Sequence, residues 1–111
     1  MLLIDGGRFG RTMAKKDVLI AYDVNTETRE GRRRLRKIAQ VCENYGQRVQ
    51  YSVFECSVTP MQLEELECEV VSIMDHEEDS IRIYVLHGGR EGSLRAYGQD
   101  KYVDFDAPLV I

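Results

Sequence analysis

The 111-residue chain has no tryptophan, only two prolines, two histidines and three cysteines. Each scarcity excludes something. Cys42, Cys56 and Cys68 are odd in number and show no C-x-x-C spacing, which argues against a disulfide framework and a zinc knuckle and favours buried free thiols in a reducing cytoplasm. His76 and His87 lie far apart without ligand spacing, so they read as surface or loop histidines. No stretch approaches the roughly 20 apolar residues that a membrane span requires, and Leu2–Ile4 is too short an apolar run for a secretory leader. No G-x-G-x-x-G or Walker pattern surrounds the "HGGRE" stretch, and Ser52 lacks an evident histidine and acid partner for triad chemistry.

What is present is charge, and it is segregated. The net charge is -4 and the pI about 5.2, figures that alone disfavour a nucleic-acid partner. Yet Arg29, Arg32, Arg33, Arg34, Arg36 and Lys37 crowd one segment against the single acid Glu30. Residues 64–79 reverse the sign with Glu64, Glu65, Glu67, Glu69, Asp75, Glu77, Glu78 and Asp79. Such asymmetry implies a polarised surface, one face of which suits phosphates.

Length implies one domain with modest surplus stability, for which a second subunit is a natural support. Residues 1–16, with Gly6, Gly7 and Gly10, read as a flexible N-terminal extension. "DVLIAYD" (17–23) is a near-continuous apolar run, the pattern of a central strand. From about Thr28 the period becomes helical, with Leu35, Ile38, Ala39, Cys42 and Tyr45 on one stripe and Gly46 as a C-terminal stop. "RVQYSVFECSV" (48–58) is one bent strand or two short ones. Thr59, Pro60 and Gln62 form a capping-box signature that opens a second amphipathic helix carrying Leu63, Leu66, Val70, Ile73 and Met74. "DHEEDS" is an exit loop, and residues 81–87 are a further strand. The order is that of a ferredoxin-like βαββαβ α+β sandwich, with two helices on one face of an antiparallel sheet. The domain spans 17–87; residues 88–111 are a glycine-rich segment and an apolar C-terminal end, "PLVI", that needs cover from a second subunit.

A charge run is ordinarily a solvated helix face, but this one sits at a helix start. Cations in a first turn oppose the macrodipole at roughly 0.3–1 kcal/mol apiece, and an external phosphate relieves that conflict. Asp23 ends the first strand. A lone carboxylate there ordinarily accepts hydrogen bonds from the turn behind it, here Asn25 and Thr26, and it is a poor hard-cation site because Mg²⁺ wants several oxygens. A two-fold axis at the strand end removes the objection by bringing in a second Asp23. The aromatic signature of an RNA-recognition motif is absent from "VQYSVFEC", and Tyr22, Tyr51 and Phe54 read as core or interface residues.

"AYDV", followed at the right distance by "RRLRKIAQVCENYGQRVQYSVFEC" and the capped helix, closely resembles the CRISPR-associated protein 2 family, from about Asp17 to His87. The resemblance implies a cytoplasmic ferredoxin-like homodimer of the spacer-acquisition machinery, in which paired strand-end aspartates share Mg²⁺ or Mn²⁺. It implies metal-dependent endonuclease activity on double-stranded DNA or single-stranded RNA, and a bridging role between integrase subunits. Asp23 matches the metal-binding and catalytic aspartate, and Tyr22 its neighbour. Arg33, Arg34 and Arg36, with Arg32 beside them and Arg48 downstream, match nucleic-acid-facing positions. Ser52 and Phe54 fall in the signature strand as supports of the site and of the dimer surface. Two alternatives stand beside the nuclease: a non-catalytic DNA-binding scaffold, and a toxin-type ribonuclease on the same fold.

Overall fold

The computed structural model describes residues 14–104. Strand β1 (Lys16–Asp23) leads to helix α1 (Arg29–Tyr45), strands β2 (Gly46–Gln50) and β3 (Val53–Val58), helix α2 (Pro60–Ile73), strand β4 (Ser80–Val85) and a short helix α3 (Gly89–Ser93). The sheet order is β2-β3-β1-β4, and every pairing is antiparallel. This is the ferredoxin-like α+β arrangement. The N-terminal residues 1–13 and the "PLVI" end lie outside the described residues, and β1 begins one position earlier than the apolar pattern implies.

Strand alternation decides which side of β1 is dry. Val18, Ile20 and Tyr22 point to the helices and are buried, whereas Leu19 and Ala21 on the other face are half-buried and Asp23 is exposed. The core lies between α1, α2 and one sheet face; Val18, Ile20, Ile38, Cys42, Phe54, Val58, Leu66 and Val70 are fully buried there. Truncating any of the larger ones to alanine is of the class that costs about 2–5 kcal/mol.

Helix α1 begins where Thr28 caps it, its hydroxyl oxygen accepting the Gly31 N–H at 3.0 Å. Gly31 is buried against the β1–α1 loop so closely that a Cβ would stand 1.8 Å from the Asn25 carbonyl oxygen. The helix ends at Gly46, but not by the left-handed C-terminal glycine that the sequence implies. Gly46 has φ -166°, an extended conformation open to any residue, and starts β2 directly. Glycine is required because β3 passes too close: a Cβ would lie 2.3 Å from the Glu55 carbonyl oxygen. The 48–58 stretch resolves into a hairpin of two strands, irregular between Arg48 and Gln50. Helix α2 carries the expected capping box, with Thr59 Oγ1 accepting from Gln62 N at 3.2 Å and Gln62 Oε1 accepting from Thr59 N at 2.9 Å. Tyr45 on α1 donates to Glu69 on α2 at 2.8 Å and joins the two helices at their rim.

The sheet face away from the helices is only partly covered. Near its Asp17 end, the Arg90 backbone N–H donates to the Asp17 carboxylate at 2.8 Å. The Arg90 guanidinium reaches the Glu55 carboxylate and lies 3.6 Å from the Tyr102 ring centroid. The Gln47 side-chain amide pairs with the Val103 backbone at 2.6 and 2.9 Å. The glycine-rich segment is therefore a short helix and a strap across one end of this face. Toward Asp23 the described residues leave the face open, with Leu19, Ala21 and Val53 half-buried and Tyr84 45% exposed. By strand rise, Asp17 and Asp23 are about 20 Å apart along β1.

The thiols divide by burial. Cys42 and Cys56 are buried in the core, and desolvation pushes both up to about 12, so neither forms thiolate at neutral pH. Cys68, expected to be buried with them, is exposed on α2. Titration with an aromatic disulfide reagent at neutral pH is expected to consume one thiol rapidly, and the other two only on global unfolding. Fast reaction of two or three thiols in the native protein would contradict this packing.

Candidate nucleic-acid and metal site

Asp23 is the last residue of β1 and stands opposite Ser80, the first residue of β4. It is exposed on the helix-free face, while Tyr22 beside it points to the helices; adjacent in sequence, the two serve opposite surfaces. Among the described residues no group of three or more histidine, cysteine, aspartate or glutamate side chains is placed to hold a metal ion. One carboxylate is a small part of the oxygen set of a hard cation, so Asp23 fits such an ion only as half of a site completed by a second copy. Ser52, in the β2–β3 turn, reaches this corner through its main chain: its carbonyl oxygen accepts the Tyr22 N–H at 3.1 Å, fixing the end of β1.

Behind Asp23 the chain is tied down by a residue that sequence reasoning left in an acidic loop. The Asp79 side chain is fully buried. Its carboxylate accepts the Arg34 Nε at 2.7 Å and Nη2 at 3.2 Å, the Asp75 N–H at 2.9 Å and the Asn25 N–H at 3.1 Å. One carboxylate thus joins α1, the loop after Asp23 and the turn before β4. Burial alone would raise its pKa. The Arg34 guanidinium and the two backbone N–H groups outweigh burial and hold it below the usual carboxylate range. Only the count of acids in 64–79 hinted at Asp79, and nothing in that count distinguished it from its exposed neighbours.

The cations of α1 do not form one patch. Arg34, expected to face nucleic acid, is turned inward to Asp79 and is a structural tie, since a bidentate fork to a buried carboxylate leaves little for a phosphate. Arg32 is exposed and donates to the Thr26 carbonyl at 3.0 Å, bracing the loop behind Asp23. Arg33 is exposed and, with Lys37, lines a groove of about 300 Å³ that reaches Ser72 and Ile73 of α2. Arg36 is exposed on the other flank, where it shares a second groove of about 300 Å³ with Arg48 and Tyr51 of the hairpin.

That second groove has Tyr22 in its floor and Leu35 and Ala39 in its wall. Tyr22 is stacked on Phe54 at 6.2 Å between centroids. Its hydroxyl is buried and has no hydrogen-bond partner among the described residues. Burial raises the phenol pKa, and the Arg48 guanidinium, near enough to act on the hydroxyl as a charge and as a weak donor, opposes this in part. Phe54 is fully buried and supports the site by packing, not as part of an exposed dimer surface. Tyr51 is neither core nor half-buried: it is 73% exposed, with the Arg48 guanidinium 5.6 Å from its ring centroid and 5.3 Å from that of Phe54.

The arrangement pairs a strand-end carboxylate on a sheet face that the described residues leave open with guanidinium groups around the adjoining helix. The family model for CRISPR associated protein Cas2 matches residues 16–94. The chain belongs to the Cas2 family. It is 51% identical over 94 residues to the CRISPR-associated endoribonuclease Cas2 1 of Moorella thermoacetica, covering 85% of this chain and 98% of that protein. Against the CRISPR-associated endonuclease Cas2 of Halalkalibacterium halodurans it is 47% identical over 93 residues, covering 84% and 97%. The crystal structure of Streptococcus pyogenes Cas2 superimposes with a TM-score of 0.66 at 49% identity, covering 74% of this chain and 99% of that one. By the names of these relatives, Cas2 proteins are nucleases associated with CRISPR. No helix among the described residues is long and apolar enough to cross a membrane.

The Asp79 anchor has a pH signature. A carboxyl whose folded pKa is depressed adds stability that is fully present above its unfolded value, near 3.9, and is lost as pH falls through the lower folded value. Asp79→Ala is expected to lower the melting temperature at pH 7 by roughly 10 °C, as removal of one partner of a buried charge pair does in a domain of this size. The gap between variant and wild type should narrow below about pH 4. A gap that stays constant down to pH 2.5 would show that Asp79 acts by shape alone.

Proposed function

We propose that this Cas2 chain works as a homodimer in CRISPR spacer acquisition and is a metal-dependent endonuclease, hydrolysing phosphodiesters of double-stranded DNA or single-stranded RNA. The observation that carries the reading is the position of Asp23, exposed at the rim of a sheet face that the described residues leave open and half apolar. A second copy laid on Leu19, Ala21, Val53 and Tyr84 buries that face and brings two Asp23 carboxylates to one rim. The names endoribonuclease and endonuclease carried by relatives at 51% and 47% identity support the chemistry.

In this reading the two Asp23 carboxylates hold Mg²⁺ or Mn²⁺. The cation, when bound, supplies positive charge to the scissile phosphate and a water of lowered pKa. The chain's own residues do the remaining work. Tyr22 and Phe54 fix the strand end from the core side, and the Ser52 carbonyl fixes it through the backbone. Arg33, Arg36 and Arg48 neutralise backbone phosphates and set the path of the strand, while Arg32 braces the loop behind Asp23.

A second reading keeps the dimer and the nucleic acid but removes the cut, leaving a scaffold that bridges integrase subunits. The lone carboxylate per chain, with no cluster of three acid or histidine ligands among the described residues, favours it. One substitution separates the two. Asp23→Asn is expected to abolish Mg²⁺-dependent cleavage of RNA and duplex DNA by the purified dimer, leaving dimer mass and nucleic-acid affinity unchanged. Cleavage that survives the change excludes Asp23 as the metal ligand. Loss of cleavage with spacer acquisition intact in cells selects the scaffold as the cellular role.

A further inference from the structure

We propose that the groove between α1 and the β2–β3 hairpin seats one nucleotide of a single-stranded nucleic acid, with its phosphate between Arg36 and Arg48 and its base on the Tyr51 ring. The proposal rests on the reading that the basic flank of α1 meets nucleic acid, and it names the form in which nucleic acid is held there.

Three independent features of the groove converge on this ligand. First, the Tyr22 hydroxyl lies buried in the floor, where no described residue meets it in good hydrogen-bond geometry and only the Arg48 guanidinium acts on it. A buried hydroxyl left unpaired is unfavourable, and phenylalanine would keep the stack on Phe54 without that penalty. An oxygen-rich ligand seated above it supplies the missing partner. Second, two guanidinium groups open onto the same space, with Glu43 as the single acid of the lining, so the groove keeps a net positive charge. Arg48 lies between the Tyr51 and Phe54 rings and near the hydroxyl; an outward swing toward a phosphate leaves the hydroxyl to the ligand. Third, Tyr51 stands 73% exposed at the mouth, with the Arg48 guanidinium 5.6 Å from its ring centroid and the rest of the ring open.

The combination discriminates between forms of nucleic acid. A duplex presents phosphates on a convex surface and keeps its bases stacked inside, so it can use Arg36 and Arg48 but not Tyr51 or the floor. A single strand can splay a base onto an aromatic face while its phosphate enters a basic recess. A volume of about 300 Å³ suits one nucleotide and no more. The groove opens on the helix side of the sheet, away from the face on which Asp23 stands, so it remains accessible in a dimer closed through that face.

The test is binding of full-length protein, in EDTA so that cleavage plays no part, to a labelled oligouridine and to a blunt duplex of equal length, read by fluorescence anisotropy. Tyr51→Ala is expected to weaken oligouridine binding roughly 10-fold, the effect of losing one base–aromatic stack, and to leave duplex affinity unchanged. Tyr22→Phe is expected to weaken oligouridine binding by about 10-fold or more, the loss of one hydrogen bond to a charged group, with the melting temperature unchanged or raised. Arg33→Gln, on the opposite flank of α1, serves as the reference and should weaken both ligands alike. Equal losses on duplex and oligouridine for Tyr51→Ala, no loss for either tyrosine variant, or a lower melting temperature for Tyr22→Phe would each overturn the proposal. If Arg33→Gln weakens binding while the tyrosine changes do nothing, the groove assignment falls and the broader nucleic-acid reading stands. If the wild-type protein binds neither ligand, both fall.

Discussion

The Asp79 carboxylate organises the functional end of this small domain. It is buried, and a buried charge is tolerated only where donors surround it. Here the donors come from three places: a guanidinium of α1, a backbone N–H behind Asp23 and a backbone N–H of the turn before β4. The loop that follows Asp23 is thereby held from beneath by Asp79 and from above by Arg32. Gly31 then allows the loop to lie against the helix without a side chain between them. Asp23 itself makes none of these bonds. Its exposure follows from the order of everything around it: the neighbouring donors are satisfied by Asp79 and by main-chain oxygens, and the Asp23 carboxylate is left at the surface.

The same logic distributes the arginines. Six cations in nine residues look like a single basic patch, but a helix turns 100° per residue and spreads them around its circumference. Arg34 falls toward α2 and the core rim, where it becomes the partner of Asp79. Arg33 and Lys37 fall on one flank, and Arg36 on the other beside the hairpin. The exposed cations therefore line two separate grooves and not a continuous stripe.

Much of this was legible in the residues. The apolar run of β1, the stripe of α1 and the Thr59–Pro60–Gln62 start of α2 are local signals, set by side-chain period and capping chemistry, and each appears where its pattern places it. Asp23 at a strand end and Arg33, Arg36 and Arg48 as exposed cations were legible for the same reason. What escaped were features that depend on distant pairing. Asp79 is one of eight acids in its segment, and only the approach of Arg34 distinguishes it. Gly46 resembles a helix-ending glycine, yet the close passage of β3 is what forbids a side chain there. Tyr51 falls in an apolar-looking strand segment but sits in the hairpin turn, where the chain reverses and its ring is left outside.

The position of β1 in the sheet carries a consequence for the order in which the protein can be made. It is the first strand among the described residues and a central strand of the sheet, paired on one side with β3 and on the other with β4, so that Val18 meets both Cys56 and Val85. The hairpin and the self-capped α2 contain their own partners and can form as they leave the ribosome. β1 cannot; its backbone and its buried face wait for residues up to 85. Until then β1 has at most one paired edge, the one β3 supplies, and the corner where Asp23 meets Ser80 is among the last parts of the sheet to acquire a shape.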